Sequence, residues 1–468
     1  MQVELYSTES RQVEPLIPIK DGEIKMYCCG PTVYDYAHIG NLRTYVFEDI
    51  LKKTLKSAGF KVKHIMNITD VGHLTDDGDE GEDKMLKAAR KTHQDVMDIA
   101  RKYETAFFND CKELNIERPN VSCRATEHIN EMIAYVKALE EKGFTYFAGG
   151  NVYFDTAKFP DYGKMAGLDL ENLRHGSRVD VDEQKKNPTD FVLWFTKSKF
   201  EDQILSWSSP WGEKGYPGWH LECSVMARKY LGDRIDIHCG GVDHIQVHHT
   251  NEVAQVEALT GQKWVNRWMH AEFLCVQDAK MSKSSGEFLT LQLLKDKGYN
   301  PLHYRYFCLT ASYRSTLTFT YEALDGAKAA YENLCAKVVE FKKQAPNETV
   351  DEVKLQQAKD AFFKELYNDL GAPKALAVLW SVVKDKEMNA ATKLAALMAF
   401  DVVFSLGVDK MEAKAVQLTE AQQRLIDDRM AARAAKDFKK SDEIRDLLLK
   451  EGLVIKDLPQ GKYEVYPA

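Results

Sequence analysis

Apolar and polar positions follow two rhythms along this chain, and the switches between them mark its parts. Met26–Cys29 (MYCC) is continuously apolar, as a strand buried on both faces requires, so Ile24–Cys29 is read as a first strand. Gly30 and Pro31 break it. A helix follows over Leu42–Ala58, with Leu42, Val46, Ile50 and Leu51 on one face. Lys61–Ile68 (KVKHIMNI) then gives a second strand, ending in Thr69-Asp70. Strand, helix, strand in this order predicts a parallel sheet with its binding crevice at the strands' carboxyl ends.

Farther along, an acidic run over 75–83 (TDDGDEGED) lacks calcium-loop spacing and reads as a solvated loop before a helical stretch from about 82 to 114. Between 121 and 205 the alternation breaks. A helix (Thr126–Lys142), strand-like runs such as Asn151–Phe154 and a polar stretch over 178–188 predict a domain inserted between two halves of one sheet. The sheet resumes at Ile235–His238, followed by Gly240-Gly241-Val242-Asp243, a helix near Thr250–Leu259 and a strand within Trp268–Val276. Lys280-Met281-Ser282-Lys283-Ser284 follows on a polar loop. The expectation is an α/β chain: a parallel-sheet domain in halves 1–120 and 206–320, split by a domain inserted at 121–205. An Ala/Leu-rich helical bundle then occupies 321–411, and a small α+β unit over 412–468 ends in a hairpin around Pro459-Gln460-Gly461.

Composition narrows the class. A length of 468 residues suits about three domains. The net charge of −8 argues against broad coating of DNA, yet leaves room for a local basic surface that binds nucleic acid. Nine cysteines with no C-x-x-C pair point to a reducing cytoplasm and against a disulfide framework. No apolar run approaches ~18 residues and no leader pattern opens the chain, so no membrane span is expected.

Chemistry gathers at few places. His38-Ile39-Gly40-Asn41 opens a helix directly after a strand, where unpaired N–H groups and the helix dipole favour an anion. The run is neither G-x-G-x-x-G nor a P-loop. Its imidazole beside a glycine lets a phosphate approach the backbone and still meet a donor.

These residues, with Gly240-Gly241-Val242-Asp243 and the complete Lys280–Ser284 pentapeptide (KMSKS), resemble a class I aminoacyl-tRNA synthetase. The phrases PGWHLECS (Pro217–Ser224), HHTNE (His248–Glu252) and MYCCG narrow the resemblance to the cysteinyl-tRNA synthetase family, over essentially the whole chain. The resemblance implies a Rossmann-like parallel-sheet catalytic domain split by a connective insertion and followed by an anticodon-binding helical domain, and ATP-dependent joining of L-cysteine to tRNA(Cys) through a cysteinyl-adenylate. His38, Gly40, Asn41, Gly240, Gly241, Asp243, Lys280 and Lys283 would bind ATP with its Mg²⁺. His38 and Lys283 would act on the phosphates, and Asp243 on a ribose hydroxyl. One Zn²⁺ would be held by Cys29, Cys223, His248 and Glu252 and would distinguish a thiol from an alcohol. Thr69 and Trp219 would line the cysteine pocket, although Trp219 also suits a core position. Cys28 and Cys29 face opposite sides of a strand, and the family's cysteine precedes the glycine, which selects Cys29. A monomer is expected.

Departures from the family pattern are Asn41 in place of the last histidine of HIGH, Cys239 where glycine is common, and Glu287 after KMSKS. Arg424, Arg429, Arg433, Lys436, Lys439 and Lys440 could contact tRNA phosphates or form a solvated face. Two rivals stay open: a ligase passing the cysteinyl group to an amino sugar, and a noncatalytic zinc-stabilised RNA-binding protein.

Overall fold

The computed structural model describes residues 2–71, 95–168, 184–197, 205–276, 279–280, 288–412, 418–457 and 463–467. The acidic run at 75–83, Lys283, Glu287 and the Pro459-Gln460-Gly461 turn lie outside the described residues.

The chain begins with a hairpin of β1 (Glu4–Ser7) and β2 (Gln12–Pro15). It then enters β3 (Glu23–Cys28), whose last three residues are fully buried. Helix α1 (Ile39–Ser57) starts where His38 caps it. The imidazole accepts from Asn41 N–H while the Asn41 side chain accepts from His38 N–H, a reciprocal pair that satisfies two N-terminal donors. After Ala58, Gly59 takes φ 95° and turns the chain out of the helix into β4 (Lys61–Ile68).

Helix α2 (Val96–Glu113) and β5 (Val121–Arg124) follow, and β5 pairs in parallel with β4. After α3 (Ile129–Glu141), an antiparallel sheet contains β6 (Thr145–Ala148), β7 (Asn151–Phe154), β8 (Phe191–Phe195), β9 (Trp207–Ser209) and β10 (Gly212–Pro217). The strands of this antiparallel sheet span 145–217, whereas β5 belongs with β4. Four-residue β5 was too short to separate from the insertion by its pattern alone.

Helix α4 (Leu221–Leu231), β11 (Ile235–Gly241), α5 (Thr250–Thr260) and β12 (Val265–Ala271) complete a five-stranded parallel sheet of order β12-β11-β3-β4-β5. Strand β11 runs through both glycines instead of ending at His238, and Cys239 sits in regular register opposite Cys28. The departure at 239 leaves the backbone an ordinary strand.

The single strand expected within Trp268–Val276 is two. After β12 the chain breaks at Glu272-Phe273 before β13 (Leu274–Val276), which joins β14 (Ala279–Lys280) and β15 (Leu317–Phe319) in a separate sheet. The cause lies far away in sequence. Arg43 of α1, only 3 % exposed, donates to the carbonyls of Glu272 and Phe273 and to those of Ser312 and Ser315. The guanidinium holds the break in place, and the Phe273 carbonyl, which also accepts from Leu317 N–H of β15 at 3.1 Å, already serves the second sheet.

Short helices α6 (Leu291–Asp296) and α7 (Pro301–Leu309) lead to the bundle α8 (Tyr321–Gln344), α9 (Glu352–Tyr367), α10 (Ala372–Lys384) and α11 (Ala390–Phe404). Arg305 on α7 pairs with Asp49 on α1 at 2.6 Å with both side chains fully buried, and it also donates to the carbonyls of Leu114 and Phe404. Last come α12 (Glu420–Ala434), α13 (Phe438–Lys450), β16 (Leu453–Asp457) and β17 (Tyr463–Pro467), around a core of Ile426, Ile444, Leu448, Leu453 and Ile455. Arg429 is no solvated or phosphate-facing cation here. It is 1 % exposed and forks onto Asp457 at 2.7 and 2.9 Å.

Two large cores share the parallel sheet. Met26 and Cys28 pack with Leu42, Val46 and Ile50 on one face, and Tyr27 and Cys29 with Ile65, Val136 and Met226 on the other. Among the described residues no helix is long and apolar enough to cross a membrane.

Candidate active site

The crevice forms where β3 ends. A Cβ on Gly30 would lie 1.8 Å from the Asn67 carbonyl oxygen, so only glycine lets the two strand ends close. Gly30 N–H donates to Asn67 Oδ1 at 2.7 Å, and Thr32 bridges Thr69 beyond it. This brings Cys29 and Thr69 to one side of the crevice.

Cys223 comes from the first turn of α4, and His248 and Glu252 from the segment leading into α5. That segment, Ile245–His249, is one turn of π-helix running directly into α5. The wider turn lets consecutive His248 and His249 both approach Glu252, at 3.0 and 3.9 Å. Cys29 Sγ, Cys223 Sγ, a His248 nitrogen and a Glu252 oxygen all lie within 4.8 Å of one another, and all four residues are buried. A second grouping of the same compactness shares Cys29 and Glu252 but takes His238 and His249.

The electrostatics are those of a buried donor set. Burial pushes the Cys29 thiol up to about 12, although the Cys223 contact works against it, and burial raises Cys223 further. Burial also disfavours the Glu252 carboxylate, but His238 and His248 outweigh it and hold the group down to about 2. For His248 burial is likewise overcome, by Glu252 and Cys223, and its pKa lies above the ordinary range. Glu252 Oε2 accepts from His238 Nε2 at 3.1 Å, while buried Oε1 lies 3.0 Å from His248 Nε2 without hydrogen-bond geometry. An acceptor aimed at the same point as a nitrogen and two sulfurs fits the coordination of a soft divalent cation. Such an ion would also reverse the thiol energetics, since a coordinated thiol ionises.

Around this set lies an imidazole array that the sequence reading missed. His220 Nδ1 meets His248 Nδ1 at 3.0 Å, Cys29 Sγ meets His249 Nε2 at 3.3 Å, and His249 Nδ1 meets His270 Nε2 at 2.7 Å. Burial lowers the pKa of His220, His249 and His270. The available signal was the clustering of histidine between 220 and 270. Trp219 is half-buried with its ring 5.0 Å from those of His220 and His248, so it faces the donor set. Glu222 also faces inward, and burial raises its carboxyl to about 8.

The nucleotide motifs meet at the start of α1. Ile39 N–H donates to the Leu289 carbonyl at 2.8 Å and His38 bridges Thr290, while Lys280 pairs with Cys275 on β13. Both flanks of the lysine loop are thus anchored near His38, and Lys283 itself lies outside the described residues. Gly40 leaves room for His38, whose Nδ1 would be 2.9 Å from a Cβ there. At Gly240 the space a Cβ would need is taken by His244 and His249, and at Gly241 by Asp243. The glycines' immediate physical role is to seat these side chains.

Comparison with known proteins agrees with this architecture. The family described as "tRNA synthetases class I (C) catalytic domain" matches residues 15–329. The Cysteine--tRNA ligase of Treponema denticola is 48% identical and aligns over 98% of both chains. Those of Burkholderia lata and Borrelia hermsii are 47% and 45% identical, over 99% and 98% of this chain and 96% and 99% of theirs. A solved methionyl-tRNA synthetase of Mycobacterium tuberculosis in complex with methionyl-adenylate has the same fold, with TM-score 0.60 and 12% identity over 83% of this chain and 93% of that one. At these identities and coverages, the chain belongs to the cysteine–tRNA ligase family of class I tRNA synthetases.

Proposed function

We propose that this chain uses ATP to join L-cysteine to tRNA(Cys) by way of a cysteinyl-adenylate. The cysteine carboxylate attacks the α-phosphate, a carboxyl oxygen–phosphorus bond forms, and pyrophosphate leaves. A ribose hydroxyl of the tRNA terminus then attacks the activated carbonyl, and AMP departs. The first nucleophile is already ionised, so the protein's task is positioning and charge compensation.

His38 accepts at Nδ1 from Asn41 N–H at 3.1 Å, which places its proton on Nε2 as a donor toward phosphate. Lys283, with Lys280, neutralises charge as pyrophosphate leaves with its Mg²⁺. Gly40, Asn41, Gly240 and Gly241 shape the nucleotide site, and exposed Asp243 accepts from a ribose hydroxyl. Thr69 and Trp219 line the amino-acid pocket.

Cys29, Cys223, His248 and Glu252 would hold Zn²⁺ in preference to the grouping with His238 and His249, because two sulfurs suit a borderline-soft ion better than one. When bound, Zn²⁺ supplies the Lewis acidity that stabilises a thiolate but not an alcohol, and so separates cysteine from serine. Nine free cysteines fit a reducing cytoplasm, and we read the chain as a monomer there.

One observation carries this reading: two buried sulfurs, an imidazole and a carboxylate converge within 4.8 Å beside Trp219. The test is aminoacylation of a tRNA pool with cysteine and serine in competition, alongside cysteine-dependent pyrophosphate–ATP exchange. Charging of tRNA(Cys) with cysteine alone is expected. Exchange without transfer to tRNA, but with transfer to an amino sugar, would overturn the acceptor.

A further inference from the structure

An amino acid brings three groups into its pocket, and the reading above provides for two, the sulfur and the carboxylate. The third is an ammonium, which in a buried site needs an acceptor of opposite charge. Glu222 stands in the first turn of α4 directly before Cys223 and is 3 % exposed. Its Oε1 accepts from the Thr69 hydroxyl across 3.5 Å, a long contact, and Thr69 Oγ1 accepts in turn from the Asn67 amide at 3.0 Å.

What Glu222 lacks is a cation in contact with it, since the nearby His248 acts on it without forming an ion pair. Asp49 has Arg305 and Lys53, and Glu252 has His238 and His248. Among the described residues no lysine, arginine or histidine forms an ion pair with Glu222. A buried carboxyl held by its own backbone N–H and a long hydroxyl contact, without an ion pair, is costly to ionise, and a ligand cation offsets that cost. The position is also right for one molecule to use. Cys223 and Glu222 are consecutive, and in cysteine two carbons separate the sulfur from the nitrogen, so a ligand held by its sulfur beside Cys223 carries its ammonium into the neighbourhood of Glu222 and Thr69.

We propose that Glu222, with the Thr69 hydroxyl beside it, is the acceptor for the α-ammonium of the bound amino acid. The assignment rests on the cysteine pocket proposed above. It makes Glu222 a specificity residue that admits amino acids and rejects thiols without an amine.

The test is equilibrium binding of cysteine and of its deamino analogue, mercaptopropionate, to the full-length, metal-loaded protein, with metal content measured in parallel. Wild type should prefer cysteine by about tenfold or more, the scale of a charge-assisted hydrogen bond. In Glu222→Gln the preference should collapse, with mercaptopropionate binding unchanged. A purely structural role would weaken both ligands alike, and that result overturns the proposal. So does a wild-type preference within about twofold, which needs no variant at all. Should Glu222→Gln lose its metal, Glu222→Asp carries the test: a loss confined to cysteine supports the assignment, and an equal loss for both ligands defeats it. Wild type that binds no cysteine would sink the cysteine reading itself, whereas cysteine binding without preference sinks only the role of Glu222.

Discussion

Cys223 contributes one of the two sulfurs of the donor set. Cys223→Ser swaps a soft donor for a hard one of similar size, so metal content and cysteine affinity should fall together while ATP binding persists. Metal analysis beside nucleotide binding checks this, and unchanged metal content would reject the ligand. A different residue governs acid sensitivity. His64 is buried with neither ring nitrogen hydrogen-bonded, and burial, with Lys52 nearby, holds its pKa down to about 3 from 6.5. Between those values the unfolded chain takes up a proton that the folded one refuses, so stability falls as pH drops through that window. His64→Leu should flatten this dependence by up to about 3 kcal/mol between about pH 7 and about pH 4, measured by denaturant unfolding at both. At this scale the sequence was informative where a residue's identity is its chemistry. Strand alternation put Cys28 and Cys29 on opposite faces, and the resemblance then selected Cys29. The sequence was silent on Glu222 and the imidazole array, because their significance lies in contacts between residues far apart in the chain.

Among the elements, α1 links the chemistry to the bundle. It begins at His38, grips the break between β12 and β13 through Arg43, and is pinned to α7 by Asp49 and Arg305. Removing one partner of a buried pair strands the other's charge. Asp49→Ala should therefore cost about 3–5 kcal/mol, read as a lowered denaturation midpoint. Helices and strands with strong periodicity were legible to within a few residues, as Lys61–Ile68 and Asn151–Phe154 attest. The misreadings have tertiary causes. The apolar run over 268–276 divides because β13 joins β14 and β15 in a sheet of its own, and β5 finds its place only by pairing with β4. The π-turn at Ile245–His249 is a matter of hydrogen-bond spacing that residue types do not announce.

For the molecule as a whole, the C-terminal unit has its own core, and Arg429 is committed to Asp457 inside it. Deleting 412–468 should leave the main thermal transition and cysteine-dependent pyrophosphate exchange in place while reducing tRNA charging. Loss of exchange would show that this unit supports the active-site domain. The fold class was legible because the rhythm of apolar positions reports how each region is buried, whereas the joints depend on which sheet a short strand enters. One consequence follows from strand β3, which turns Met26 and Cys28 toward one core and Tyr27 and Cys29 toward the other. A partition common to two rooms stands until both are emptied. A metal ion seated at Cys29 would then stay in place through local fraying at either end of the molecule, and would escape only when the central sheet itself comes apart.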